Sequence, residues 1–282
     1  MSSKIYFQSS NGPSFRRTMV NTVTGLHHLI APRHAERMAK KVFLTPAKLK
    51  KAPDAPQSVR ETRLETSEGK VAVYRLGSGP TILLSHGWSG AGSQYFPLMD
   101  KIASLGFTAV TFDHVGHGKS EGRIASLPAF MAVTEAVLDT CEHVVGIISH
   151  SMGTVSSLES RHKVMESVPQ LLIAPSLNYI EDMMATVQRS GYSMKLFQHV
   201  VDDIGAQYKI PFESIDPMQR LSQREVMTHI IHDKDDRFAK YEHSEKASAM
   251  RNVTLVTTTG RGHGRIMQCE EIMVLVERWL AS

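Results

Sequence analysis

The sequence predicts an α/β fold, a mostly parallel sheet covered by helices on both faces. Three observations predict it. Short apolar runs rich in branched residues recur at 81–85, 107–112, 144–149, 171–174, 226–231 and 253–258. Most are separated by stretches of roughly 12–20 residues that read as helices, the rhythm of strand–helix–strand units. The runs are continuous rather than alternating, as strands buried on both faces must be.

Taken in order, residues 1–32 show little periodicity and are expected to be partly disordered. Between 34 and 44 the period is helical. Ala35, Met38, Ala39, Val42 and Phe43 share one face, with Met38, Val42 and Phe43 expected inward and Arg37, Lys40 and Lys41 off the stripe. Thr45-Pro46 stops that helix. From residue 59 the period becomes two: 59–65 and 71–76 form a hairpin turned at Ser67-Glu68-Gly69, and Gly77-Ser78-Gly79-Pro80 makes a second turn into the parallel strands. One interval breaks the rhythm. Residues 176–225 hold Gly191, Pro211 and Pro217 among apolar helical patterns, far more chain than a crossover needs. They read as a helical insertion over one end of the sheet. The expected division is a basic, partly helical N-terminal extension (1–58), a core of 59–175 with 226–282, and the insertion 176–225.

Composition narrows the class. The chain has 282 residues, 41% hydrophobic and 21% charged, an ordinary globular make-up that excludes a collagenous chain, an acidic disordered tail and a membrane bundle. The formal charge of +4 is unevenly spread. Eleven Lys or Arg face only Glu36 and Asp54 within residues 1–60, so the remainder is slightly acidic. Two cysteines, Cys141 and Cys269, make no disulfide framework and fit a reducing compartment. No run approaches the ~18 apolar residues of a membrane span, and no apolar segment with a cleavage site marks secretion. The expected location is cytoplasmic.

The chemistry clusters at strand ends. Ser149-His150-Ser151-Met152-Gly153 joins the run 144–148 to a helical stretch, close to the G-x-S-x-G elbow that lifts a serine hydroxyl out of the sheet. Ser149 replaces the usual first glycine but is still small. The elbow puts the Met152 N–H at a helix N-terminus, where it can donate to a developing oxyanion. His86-Gly87-Trp88 follows residues 81–85, and a turn there aims the Trp88 N–H at the same point. Asp113-His114-Val115-Gly116-His117-Gly118-Lys119-Ser120 ends like a phosphate loop, but Asp113 stands where that motif needs glycine. It reads as a glycine-rich loop. In His232-Asp233-Lys234-Asp235-Asp236 one acid can orient a histidine, while Asp233 and Asp235 read as a solvated turn. His263, between Gly262 and Gly264, can reach over the sheet edge as a general base.

With these motifs placed, residues 59–281 resemble the α/β-hydrolase superfamily, in its serine esterase/lipase-like branch. The resemblance rests on His86-Gly87-Trp88, Asp113-x-x-Gly116-x-Gly118-x-Ser120, Ser149-x-Ser151-x-Gly153, the segment from His232 to Asp236 and Gly262-His263, in the family's order. It implies Ser151 as nucleophile, Asp236 as acid with Asp235 as fallback, His263 as base, and Trp88 and Met152 as oxyanion donors. It makes residues 176–225 a helical cap and requires no metal or organic cofactor. A serine at the elbow argues against the aspartate-nucleophile dehalogenase branch.

The implied activity is cleavage of a small to medium apolar carboxylic ester or thioester through an acyl-enzyme. Met183, Met184, Met194, Leu196, Phe197 and Met218 either line its pocket or pack the cap onto the core. The alternatives are a C–C bond hydrolase with the same triad and a non-enzymatic ligand sensor on the fold. No recognition module accompanies the N-terminal charges, so no nucleic-acid partner is expected. The basic arm packs on the domain, with peripheral contact to an anionic membrane the less favoured reading.

Overall fold

The computed structural model describes residues 15–49 and 53–281. Two helices come first, α1 (Phe15–Ile30) and α2 (Pro32–Leu44). The sheet begins with β1 (Arg60–Thr66), β2 (Gly69–Gly77) and β3 (Thr81–Ser85). Then α3 (Phe96–Ser104), β4 (Thr108–Phe112), α4 (Leu127–Leu138), β5 (Val144–His150), α5 (Met152–Glu159), α6 (Lys163–Ser167) and β6 (Gln170–Ile173) follow. The long interval carries α7 (Tyr179–Ser190), α8 (Met194–Tyr208) and α9 (Pro217–Gln223). The chain ends with β7 (Thr228–Asp233), α10 (Tyr241–Ala247), β8 (Val253–Thr258), α11 (Gly262–Arg265) and α12 (Glu270–Ala281).

The eight strands form one sheet in the order β1-β2-β4-β3-β5-β6-β7-β8. β1 and β2 are antiparallel to each other, β2 is antiparallel to β4, and all later pairings are parallel. Alternate side chains feed two cores. Ile82, Leu84 and Ile148 pack with α3 and α12 through Leu98, Met99, Ile102, Ile272 and Val276. Leu83 and Ile147 pack on the opposite face with α4 and α5 through Phe130, Val133, Val137 and Val155. This two-sided burial makes the central strands read as unbroken apolar runs. The predicted β7 starts two residues early, because pairing of Thr228 with Gln170 on one side and Val253 on the other sets where the strand begins.

The N-terminal segment holds one more helix than its periodicity predicts. Of residues 1–32, expected to be partly disordered, 1–14 lie outside the described residues and 15–30 form α1. α2 forms as predicted, but Met38 is 41% exposed while Ala35, Ala39 and Phe43 are buried. Met38 sits about 100° around the helix from Ala39, off the seam. The small alanines let α2 lie close to α8, where Phe43 packs edge-on against Phe197 with Val200 and Val201 beneath.

Candidate active site

β5 ends at His150, and the chain turns on Ser151 before α5 begins. Ser151 has φ 52 and ψ −120, a left-handed backbone that costs of order 1–3 kcal/mol for a residue with a Cβ. Its surroundings hold it there: Ser151 N–H donates to the Ile173 carbonyl of β6 (3.1 Å), and Thr154 Oγ1 donates to the Ser151 carbonyl (2.5 Å). The turn also needs a small residue two places on. A Cβ on Gly153 would sit 2.5 Å from the Ser85 oxygen and 2.7 Å from the His86 oxygen, both backbone atoms. Ser149, the departure from glycine, is buried with its Oγ 3.0 Å from Ser157 Oγ, so its hydroxyl is satisfied. Gly153→Ala is expected to lower Tm by roughly 5–10 °C. Gly25→Ala, where a Cβ meets nothing within 4 Å, serves as the neutral control. Equal Tm values for the two variants would refute this account.

The His263 imidazole reaches back over Ser151 from α11. His263 Nδ1 donates to Asp236 Oδ2 at 2.7 Å, which leaves Nε2 to accept from Ser151 Oγ at 2.8 Å. Asp236 Oδ1 accepts from the Phe238 and Ala239 N–H groups at 2.7 and 3.0 Å, and His232 Nε2 approaches Oδ2 at 3.3 Å. Burial would push the Asp236 carboxyl up, but the hydrogen bonds from His232 and His263 and the His263 charge outweigh it and hold it well below the usual range. Asp235 is not at His263; its carboxylate accepts the Gly260 N–H at 2.8 Å. Asp233 is buried and accepts from Thr258 Oγ1 and the Arg261 N–H, so it ties the β7 loop to the loop carrying His263 rather than lying in a solvated turn, whereas Asp235 is exposed as expected. The reason is proximity: β7 and β8 are adjacent parallel strands whose C-terminal loops face each other.

The loop after β3 crosses directly over the serine. A Cβ on Gly87 would lie 2.7 Å from Ser151 Cβ. Trp88 follows it and lines the cavity above Ser151. Met152 opens α5, so its N–H has no partner within the helix.

Several buried histidines have side-chain roles that the sequence does not signal. His150 Nε2 donates to the His263 carbonyl at 2.9 Å, anchoring the loop that carries the imidazole. His86 Nε2 accepts from the His114 N–H (3.0 Å) while Nδ1 donates to the Gly87 carbonyl (2.7 Å). His117 Nε2 accepts from the Ser89 N–H (3.0 Å), and Nδ1 donates to the Val115 carbonyl (2.9 Å). The His114 ring stacks on Phe130 with centroids 3.6 Å apart. Asp113, in the glycine-rich loop, accepts from Tyr74 Oη, Gly92 N–H and Lys119 N–H. His86 and His117 tie the loop before Ser89 to the loop after β4 as neutral groups. Burial lowers His86 to about 4 and His117 and His150 to about 3. These pKa values lie below the unfolded 6.5, so the unfolded chain binds more protons as the pH falls. The stability these groups contribute is present above about pH 6.5 and is lost toward pH 4 and 3, at up to about 1.4 kcal/mol per histidine per pH unit. Urea unfolding at pH 7.5 and 5.5 is therefore expected to show a drop of a few kcal/mol, smaller in His117→Gln. An unchanged midpoint would refute it.

A cavity of about 470 Å³ opens over Ser151 and His263. Trp88, Leu127, Tyr179, Phe197, Val200 and Ile204 give it an apolar wall. Of the six side chains proposed for pocket or packing, Met183 and Phe197 line it, whereas Leu196 is buried against α2 and Met218 packs beneath β6 and β7. The N-terminal arm also contributes: Phe43, Leu44 and Ala47 form part of the wall, and the Ala47 N–H donates to Ser89 Oγ at 2.9 Å. Among the described residues, His28, Glu36 and His199 bring three potential metal-ligand atoms within 4.8 Å of one another. They join α1, α2 and α8 and do not line the cavity.

Residues 79–259 match the Hydrolase_4 family model, described as serine aminopeptidase, S33. A monoglyceride lipase homolog from monkeypox virus is 30% identical over 109 residues, 34% of this chain. That match spans 38% of the relative's length. Est1E from Butyrivibrio proteoclasticus, in a structure with ferulic acid bound, superposes with a TM-score of 0.62 at 19% identity, covering 78% of this chain and 96% of that one. The Pyrococcus furiosus esterase Pf2001 superposes with a TM-score of 0.59 at 19% identity, covering 84% and 94%. At these identities the structural likenesses show the fold.

Proposed function

The chain belongs to the α/β-hydrolase superfamily, and from that premise we propose that it is a serine hydrolase cleaving small to medium apolar carboxylic esters or thioesters through an acyl-enzyme. The observation that carries the proposal is the Ser151–His263–Asp236 hydrogen-bond chain, 2.8 and 2.7 Å, at the floor of an apolar cavity. The relative that is 30% identical over 109 residues is named a monoglyceride lipase homolog, and a monoglyceride is a carboxylic ester with an apolar acyl chain.

In this reading the substrate acyl chain lies against Trp88, Tyr179 and Phe197 with its carbonyl over Ser151. Ser151 Oγ attacks the carbonyl carbon while its proton passes to His263 Nε2. Ionised Asp236 holds the imidazole with Nδ1–H inward and stabilises the imidazolium that forms. The Met152 and Trp88 N–H groups donate to the tetrahedral oxyanion, each contributing about 3 kcal/mol. Collapse breaks the bond to the leaving alcohol or thiol, which takes the proton from His263. Water then attacks the acyl-enzyme through the same base. Residues 176–225 act as the cap that walls the acyl site, together with Phe43 and Leu44 of the N-terminal arm.

The test is a series of nitrophenyl esters of increasing acyl length. Burial of each methylene is worth about 0.8 kcal/mol, so kcat/KM is expected to rise roughly fourfold per added carbon until the cavity is full. A flat series would refute the apolar acyl site. Failure of a phosphonate ester to label Ser151 would refute the hydrolase reading itself, as a ligand sensor need not react.

A further inference from the structure

α1 is inverted with respect to the protein it packs on. Phe15, Met19, Val23, Leu26, Leu29 and Ile30 fall within a stripe about 120° wide on a helical projection. That stripe points away from the fold: Phe15 is 87%, Leu29 80% and Ile30 79% exposed, and no residue of α1 is buried. The face turned inward is polar. Thr24 Oγ1 accepts from the Ser193 N–H at 3.0 Å, and a Cβ on Gly191 would meet Arg17. The imidazoles of His28 and His199 bracket the Glu36 carboxylate at 4.0 and 3.8 Å. A surface helix normally docks by its apolar stripe. Here polar contacts to α2, to α8 and to the Gly191 turn seat the helix, and the apolar stripe is presented outward.

The charge of the same arm identifies what the stripe meets. Residues 15–49 carry seven Lys or Arg and a single acid, Glu36. Arg33, Arg37 and Lys41 run at i, i+4 and i+8 along α2, opposite its buried Ala35–Ala39 seam, and all three are exposed. Met38 adds an exposed apolar side chain on the same helix. A second copy seated on this face would bring two basic arms together. An anionic lipid surface satisfies both features, taking the apolar stripe at the acyl boundary and the cations at the headgroups. Among the described residues no helix is long and apolar enough to cross a membrane, so the geometry is that of a helix lying in the interface.

We propose that α1 and the basic face of α2 form a docking surface for an anionic phospholipid membrane. The same arm ends in Phe43, Leu44 and Ala47, which line the cavity above Ser151, so docking holds that cavity against the bilayer. That last consequence rests on the hydrolase reading; the docking itself does not.

The test is co-sedimentation of the full chain with phosphatidylcholine vesicles and with vesicles containing 30% phosphatidylserine, a composition of the anionic kind intended here. At least tenfold stronger partitioning onto the anionic vesicles is expected, weakened by high salt. The Phe15→Glu/Leu26→Glu variant is expected to lose at least tenfold, as is Arg33→Glu/Arg37→Glu. Both variants alter exposed positions, and unchanged Tm with unchanged phosphonate labelling of Ser151 would show that fold and site survive. Equal sedimentation on both vesicle types, or full binding by the Phe15→Glu/Leu26→Glu variant, would overturn the proposal. So would light scattering that finds a dimer which this variant dissolves, because the stripe would then be covered by a second copy.

Discussion

Ser151→Ala is expected to lower kcat/KM for a short activated ester by about 10⁴- to 10⁶-fold, or some 5–8 kcal/mol of transition-state stabilisation. Ser151 Oγ is the atom that the elbow lifts to within 2.8 Å of His263 Nε2, and a methyl group in its place cannot attack or transfer a proton. Little else should change. Alanine keeps the Cβ, and the backbone hydrogen bond from residue 151 to the Ile173 carbonyl does not involve the hydroxyl. The folded state should therefore persist with a Tm close to wild type and the cavity intact. The activity that survives measures what positioning, and in the proposed mechanism the Met152 and Trp88 N–H groups, supply without a nucleophile. Steady-state kinetics on a nitrophenyl acetate or butyrate checks the loss, and intact-protein mass spectrometry after phosphonate treatment checks the adduct. Activity within tenfold of wild type would mean that another group attacks, and the acyl-enzyme mechanism would be lost with it.

Much of the sheet was legible because its strands are buried on both faces and so read as short branched runs. The runs 81–85 and 253–258 coincide with β3 and β8. The ends of β6 and β7 shifted by one or two residues, because partners far along the chain set the register. α1 was missed for a different reason. Its spacing of Phe15, Met19, Val23, Leu26 and Ile30 is plainly helical in retrospect, but polar and histidine residues dilute it. Nor does a sequence show that the polar side faces the protein. Met38 illustrates the same limit on a smaller scale: helical spacing groups it with Ala35 and Ala39, but the seam against α8 lies about 100° away.

At the site, the family resemblance implied Ser151, Asp236 and His263, and in the structure Ser151 and Asp236 each come within hydrogen-bond reach of His263. The supporting shell was not legible. The rings of His86 and His117 contact the backbone of each other's loop, which only folding brings close. Asp233 looks like part of a hydrated acidic turn until β8 is laid beside β7. The contribution of Phe43 and Leu44 to the cavity joins residues more than a hundred positions from Ser151 with no motif to signal it. Local chemistry is written in motifs, whereas the walls of the pocket are written in tertiary contacts.

Those tertiary contacts also make the choice of acid testable. Asp236→Asn is expected to lower kcat/KM by about 10³- to 10⁴-fold at neutral pH, while Asp235→Asn is expected to cost less than tenfold. An asparagine at 236 can keep its carbonyl toward the Phe238 and Ala239 N–H groups, so the turn after β7 survives. Its amide NH₂ then replaces Oδ2 and donates where Asp236 accepted. His263 Nδ1, 2.7 Å away, must become the acceptor, which moves the ring proton to Nε2. An Nε2–H cannot take the Ser151 proton, so the base is lost although the geometry is nearly unchanged. The lost carboxylate charge further removes stabilisation of the imidazolium. Asp235→Asn removes no charge from the imidazole contact, and its amide oxygen can still accept the Gly260 N–H. Measuring kcat/KM and Tm for both variants separates the roles: the activity gap should be large and the Tm gap small. Equal losses, or a larger loss at 235, would take Asp236 out of the role of orienting acid.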